Sequence, residues 1–202
     1  MSTSLRTAII GLSSTGTSSW AAAAHLPALL TATGRSKLPI TALLNSSVDA
    51  AKSAIKLHKL DLTTKAYGRP EDLAKDKDVD LVICVTRVDK HYETILASIK
   101  AGKDVYVEWP IASNASDINS LIEEAKKSGS RVAVGLQGRW APPVLKLKDV
   151  LKEGKLGKVL SSEVRAYGGT NDREILPEGL RYFAHREIGG NIIVINYAHG
   201  KL

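Results

Sequence analysis

The residues best suited to chemistry begin at Gly11. In Gly11-Leu12-Ser13-Ser14-Thr15-Gly16 two glycines and three hydroxyl residues separate an apolar run from an alanine-rich one. Glycine lets backbone approach a phosphate, and unpaired N–H groups at a following helix favour an anion. The middle glycine of a G-x-G-x-x-G loop is Ser13 here, so the pattern is degenerate and an ordinary strand-to-helix turn also fits. Ser13, Ser14 and Thr15 add hydroxyls that can donate to phosphate. Downstream, Asn45-Ser46-Ser47 ends a second apolar run, where an NAD-preferring protein usually carries an acid for the ribose 2′-OH. Without that acid a 2′-phosphate is not repelled, and nearby Lys52 could pair with it, which favours NADP over NAD. The same residues can simply cap the next helix.

These loops need a scaffold, and the first 140 residues supply its pattern. Strand signals at 7–10, 39–44, 65–67, 80–86, 105–108 and 131–136 alternate with helical segments at 20–30, 48–57, from Pro70, 90–101 and 116–127. Thr33 to Ser36 reads as a loop. Six such units fit a doubly wound parallel sheet. After Arg139-Trp140-Ala141-Pro142-Pro143 the texture changes: a lysine-rich helix over 144–153, an alternating strand over 159–167, a polar loop from Gly168, and a last apolar segment over 192–198. The expected architecture is α/β, a doubly wound Rossmann domain over 1–140 followed by the first part of a truncated α/β substrate domain over 141–202. That second region is too short for a sheet-based domain of its own.

Composition removes several classes of function. The chain has 202 residues and a net charge of +7, but its lysines are scattered singly, with no arginine-rich or aromatic-interleaved run. Direct nucleic-acid binding is therefore not expected. No apolar run approaches the roughly 20 residues of a membrane span. The N-terminus lacks the charged-then-apolar order of a signal peptide. The single cysteine, Cys84, sits in the apolar run 81–85 and reads as a small buried hydrophobe of a reducing compartment. A cytoplasmic protein is expected. No zinc-type Cys/His cluster is present.

The run Val105-Tyr106-Val107-Glu108-Trp109-Pro110 is an apolar strand ending at an acid and a proline, with a helix beyond. A strand, Glu-x-Pro and a helix in this order resemble the Gfo/Idh/MocA family of NAD(P)-dependent sugar oxidoreductases. The resemblance implies Thr86 and His91 from the family's Thr-Pro-Asn-x-x-His, Thr86 beside the cofactor, although a histidine at a helix start is more often structural. It also implies Glu108 near the nicotinamide ribose, Trp109 at the site, and Arg139 of Gln137-Gly138-Arg139-Trp140 lining the cofactor cleft. Its Asp-x-x-x-His segment falls on Ile195 and His199. The family's lysine between Glu and Pro is Trp109 here, which can neither carry positive charge nor relay a proton, and the aspartate is Ile195. Only His199 remains for proton transfer.

Val-Glu-Trp, Leu136-Gln137-Gly138-Arg139, His25-Leu26-Pro27-Ala28-Leu29 and His91-Tyr92-Glu93 resemble the family's galactose-regulon repressor branch. Two functions follow as expectations. One is an NAD(P)-dependent oxidoreductase acting on a small sugar-like or polyol substrate. The other is a non-catalytic NAD(P)-dependent transcriptional regulator whose cleft binds an activator peptide, which would add the nucleus to its locations. Both imply a nicotinamide dinucleotide, and the family's second domain implies a homo-oligomer, a dimer, at full length.

Overall fold

The computed structural model describes residues 4–14, 19–163, 165, 176–191 and 194–195. Six strands, β1 (Thr7–Ile10), β2 (Ile40–Leu44), β3 (Lys65–Tyr67), β4 (Leu81–Cys84), β5 (Asp104–Glu108) and β6 (Val132–Gly135), form one sheet. Its order is β3-β2-β1-β4-β5-β6, and each of its five pairings is parallel. All strands point the same way, but the order in which they are added reverses at the β1/β4 boundary, where an open α/β sheet leaves a crevice at the carboxyl ends of its strands.

The pleat sorts the apolar residues into two cores. Ala8, Ile10, Leu44, Val82, Cys84, Val105 and Val107 face α4 (Pro70–Lys75), α5 (Val88–Lys100) and α6 (Ala115–Ser128) through Leu73, Ile95, Ile99 and Leu121. Ile9, Leu43, Ile83 and Val85 face the other side, where Leu26 and Leu29 of α1 (Leu26–Leu29) and Ala51, Ala54 and Ile55 of α3 (Val48–Leu57) cover them. Each such leucine or isoleucine, fully buried, contributes about 1.5–3 kcal/mol. Both faces are thereby closed, and the strand ends are the places left for a ligand.

Local signals explain most of the elements. Ser47 caps α3 by accepting from the Ala50 N–H at 3.1 Å, and Asn114 caps α6 through the Asp117 N–H at 2.9 Å. Gly129 ends α6 in the left-handed region at φ 76°.

Three expectations need correction. The segment over 20–30 is not one helix: a π-helical turn, Ala21–His25, precedes α1. Pro27 sits at the start of α1 and has no N–H to give an earlier carbonyl, so the turn widens there. Thr33 to Ser36 is not a loop but lies within α2 (Ala32–Lys37), capped by Thr31, whose hydroxyl accepts from the Gly34 N–H at 3.0 Å. Gly34 is in that helix because a Cβ would fall 2.3 Å from the Ala28 carbonyl oxygen. Finally, Val159 to Glu163, the described part of the expected strand over 159–167, carries no strand pairing. No described strand lies beside it to complete a ladder.

Beyond β6 the chain makes a 3-10 turn (Gln137–Trp140) and α7 (Pro142–Lys152), whose Leu145, Leu147 and Leu151 stay exposed. Two further 3-10 segments, Glu178–Ala184 and Arg186–Ile188, return over the strand ends.

Candidate functional site

A cleft of about 1080 Å³ opens at the carboxyl ends of β1, β4 and β5. Gly11, Ser13, Thr86, Glu108 and Trp109 line its floor, and Tyr182, Phe183 and Ile195 line the opposite side. Thus five of the residues singled out by sequence meet in one place, together with Ile195.

Gly11 closes the floor between β1 and β4. Its φ is +94°, and a Cβ there would fall 2.7 Å from the Val85 carbonyl oxygen and 2.9 Å from Thr86 Cγ2. Only glycine gives backbone this close to β4, and a bare backbone cradle is what a pyrophosphate needs. The following loop is held from below. Asn45 Nδ2 donates to the Leu12 carbonyl at 2.9 Å and His58 Nε2 donates to the Ser13 carbonyl at 3.0 Å. Asn45 therefore positions the loop from beneath and is not on the cleft lining; Ser46 is exposed at the start of α3, and Ser14 is half-buried off the lining. Thr15, Gly16 and His199 lie outside the described residues.

His91 is not on the cleft surface either. It is 1% exposed, with Nδ1 2.8 Å from the Pro110 carbonyl and Nε2 2.9 Å from the Thr86 carbonyl. Burial pushes its pKa below the ordinary value, outweighing the two carbonyls, which favour the cation. This ring ties the turn after β4 to the turn after β5, so it holds Thr86 and Trp109 in place through their backbone. Arg139 lies over the Trp140 ring at 5.6 Å, off the cleft lining.

Glu108 ends β5 inside the cleft wall. Its Oε1 accepts from His25 Nε2 at 2.6 Å, and the two side chains are 11% and 17% exposed. Tyr106, two residues earlier on the same strand, meets the His25 ring edge-on at 5.7 Å. Gly135 of β6 makes the room: a Cβ would sit 2.7 Å from the Tyr106 hydroxyl and 3.0 Å from Glu108 Oε1. Burial, helped by the Glu108 charge, pushes the Tyr106 hydroxyl up, so it stays protonated at neutral pH. Cys84 is wholly buried behind this wall, with its thiol pushed up by burial.

The far side of the cleft is fastened by three contacts. The Trp109 indole N–H donates to the Val194 carbonyl at 3.0 Å, and the Ser113 hydroxyl donates to the Ile188 carbonyl at 2.8 Å. Arg87, bidentate on Asp89, lies over the Tyr182 ring at 5.9 Å. Gly189 allows the close approach, since a Cβ there would meet Ser113 Cα at 2.4 Å.

Sequence reasoning gave no role to His58, Arg87, Tyr106 or the segment over 178–188. Each acts through a neighbour distant in sequence, and no local spacing encodes such a contact. His25 had a usable signal, a lone histidine in an alanine-rich segment.

The residues present fit a dinucleotide, on the strength of the Gly11 cradle at the sheet's switch point. Comparison with known proteins agrees. Residues 5–136 match the Gfo/Idh/MocA model, described as an oxidoreductase family with an NAD-binding Rossmann fold, and residues 142–200 match a model of the Gal80p C-terminal domain. Dehydrogenase aclE of Aspergillus oryzae is 37% identical over 200 residues, which is 98% of this chain and 53% of that protein. An inositol 2-dehydrogenase/D-chiro-inositol 3-dehydrogenase of Lactiplantibacillus plantarum is 33% identical over 124 residues, 61% of this chain and 35% of its own length. The crystal structure of the transcriptional regulator Gal80p of Kluyveromyces lactis superposes with a TM-score of 0.79 at 25% identity, covering 98% of this chain and 48% of that one. The chain spans about half the length of the curated relatives it matches over its whole extent. No helix among the described residues is long and apolar enough to cross a membrane, and no described group of His, Cys, Asp and Glu could hold a metal.

Proposed function

The chain belongs to the Gfo/Idh/MocA oxidoreductase family, and from that premise we propose that it is a cytoplasmic NAD(P)-dependent dehydrogenase of a polyol or sugar-like alcohol. The observation that carries the reading is the meeting of Gly11, Thr86 and Glu108 on one cleft at the switch point of the sheet. The pyrophosphate would lie over the loop after Gly11, with the nicotinamide end toward Thr86 and Glu108. The bound cofactor would supply the hydride chemistry. The chain's own part is to orient the alcohol between Glu108, Trp109 and the segment over 178–188, and to exclude water there. Residues 1–140 form the dinucleotide domain in this reading, and 141–202 begin the substrate and dimerisation domain. The exposed leucines of α7 suit a helix that another part of such a domain covers.

We propose NADP over NAD. Asn45 gives an amide where a carboxylate would repel a 2′-phosphate, and Ser46 and Lys52, both exposed, follow it in the chain. The test is calorimetric titration of the purified protein with NADPH and NADH separately. NADPH should bind the tighter, and a folded protein that takes up neither overturns the reading.

A second reading has its own support. Trp109 replaces the lysine the resemblance implies, and the Gal80p C-terminal match begins right after the Rossmann half. A regulator would keep the cofactor and present the cleft mouth to an activator peptide. Trp109→Lys separates the two. In a dehydrogenase it should leave turnover the same or raise it; in a regulator it should weaken peptide binding, and no turnover should appear.

The milder change, Trp109→Phe, removes the indole N–H and leaves the Val194 carbonyl without that donor. A loss of about 0.5–1.5 kcal/mol is expected. It should show as faster amide exchange at Val194 and Ile195, whose N–H groups bond to Asn191 at 3.0 and 2.8 Å. Unchanged exchange there would show that the indole contact does not fasten the segment.

A further inference from the structure

A dehydrogenase must take a proton from the alcohol as well as a hydride; the family's lysine position is an indole already bonded to the Val194 carbonyl, and His199 lies outside the described residues. Among the described residues another ionisable group reaches the same cleft from the same turn. Glu108 lies on the lining, its Oε1 held by His25 Nε2 at 2.6 Å, and no described group bonds its second oxygen. We infer that Glu108 accepts the proton of the substrate hydroxyl and that His25 is its positioning residue, the pair standing in for the absent lysine. The inference builds on the dehydrogenase reading above.

The step balances with the groups named. The alcohol C–H bond breaks with its electron pair leaving as hydride to an oxidised nicotinamide dinucleotide. The O–H bond breaks, its proton passes to the Glu108 carboxylate, and the oxygen lone pair becomes the carbonyl π bond. In the reverse direction the protonated carboxyl returns the proton to the new alkoxide oxygen. His25 fixes the carboxylate's orientation by donating its Nε2–H to Oε1, which leaves the second oxygen to take the proton.

The groups packed against Glu108 do not compete for the proton, and the cleft's other ionisable residues outside the arginines, Glu178, Tyr182, His185 and Glu187, all come from the segment over 178–188. The other titratable groups facing Glu108 are the Tyr106 hydroxyl on β5, the Cys84 thiol on β4 and the His91 ring on α5. Burial holds the first two protonated and the third neutral, and neither Cys84 nor His91 lines the cleft. His25 alone among them is in hydrogen-bond contact with the carboxylate. Gly135 bears on this too, because any side chain there would press on Glu108 Oε1 and the Tyr106 hydroxyl.

The experiment compares the protein with its Glu108→Gln, His25→Gln and His199→Gln variants. NADPH affinity is measured by calorimetry, and reduction of NADP+ and NAD+ is followed with myo-inositol and a set of vicinal diols and aldoses. Glu108→Gln should keep NADPH binding and lose turnover by about 100-fold or more, the scale of a missing general base. His25→Gln should lower kcat by about tenfold and displace the acid limb of its pH profile, which a merely structural role would not move. In the cofactor-free protein, Glu108→Gln should change the 15N shifts of the His25 ring at one fixed pH, since they report its hydrogen bond to the carboxylate. Parental turnover in Glu108→Gln, loss confined to His199→Gln, or NADPH binding without oxidation of any alcohol would each overturn the pair. A protein that binds no dinucleotide fails the dehydrogenase reading itself, which is a separate result.

Discussion

Gly11→Ala should abolish dinucleotide binding and lower stability by about 2–4 kcal/mol, the combined scale of a non-glycine residue at positive φ and a backbone clash. Two costs add. At φ +94° any Cβ is strained, and the atom it meets first is the Val85 carbonyl oxygen at 2.7 Å, which belongs to the sheet and cannot swing away. Either β1 and β4 separate at their carboxyl ends or the loop after Gly11 lifts off the cleft floor. Both movements fill the space a pyrophosphate would use. Gly129→Ala isolates the first cost: its φ is +76°, but nothing lies within 4 Å of the added Cβ. That variant should lose only about 1 kcal/mol and keep NADPH affinity. For a domain of this size 1 kcal/mol is about 2–4 °C in Tm. Thermal melts of the two variants should therefore separate clearly, with calorimetry reporting NADPH affinity alongside. Equal melts would mean that the Val85 contact relaxes freely, and retained NADPH binding in Gly11→Ala would remove the cradle from the site.

The same glycine shows what a sequence can and cannot declare. Strand positions were legible because the apolar runs that end at Gly11, Asn45, Thr86 and Glu108 are nearly uninterrupted, as burial on both faces requires. Helix α3 was legible from its Ser47 cap, and α5 and α6 from their apolar spacing. What failed was decided by contact at a distance. Gly34 reads as a loop residue, yet it sits in a helix because the Ala28 and Leu29 carbonyls leave no room for a side chain. The alternation at Val159 to Glu163 reads as a strand, but a strand needs a neighbour, and none is described there. In the site, Glu108 and Thr86 were found from the Gfo/Idh/MocA resemblance, whereas the His25 contact spans 83 residues and the Trp109 contact spans 85. The resemblance also named His91, and the end of the second strand named Asn45, as cofactor contacts, and the fold sets both one layer below the cleft surface.

His91→Phe should show how much the cleft depends on that lower layer, with a loss of about 2–3 kcal/mol at pH 7.5 and a marked fall in NADPH affinity. The ring is buried between two backbone carbonyls from turns 24 residues apart, Thr86 after β4 and Pro110 after β5. Phenylalanine fills the space but donates nothing, so the carbonyl that takes the neutral ring's one N–H loses its donor where water cannot easily replace it. The two turns would then drift independently, carrying Thr86 and Trp109 with them. The effect also has a pH signature. Burial lowers the folded-state pKa of His91 below the unfolded value near 6.5. Between those two values the unfolded chain binds a proton that the folded chain does not, so stability rises with pH. The contribution of a neutral, buried His91 is thus complete above about pH 6.5 and is lost as pH falls through the folded-state value. The phenylalanine variant has no such proton to gain. The stability gap between parent and variant, followed by urea unfolding from pH 8 down to pH 5, should accordingly narrow on the acid side. A gap that stays constant or widens would mean that His91 is charged in the folded protein, with both carbonyls taking an N–H from it.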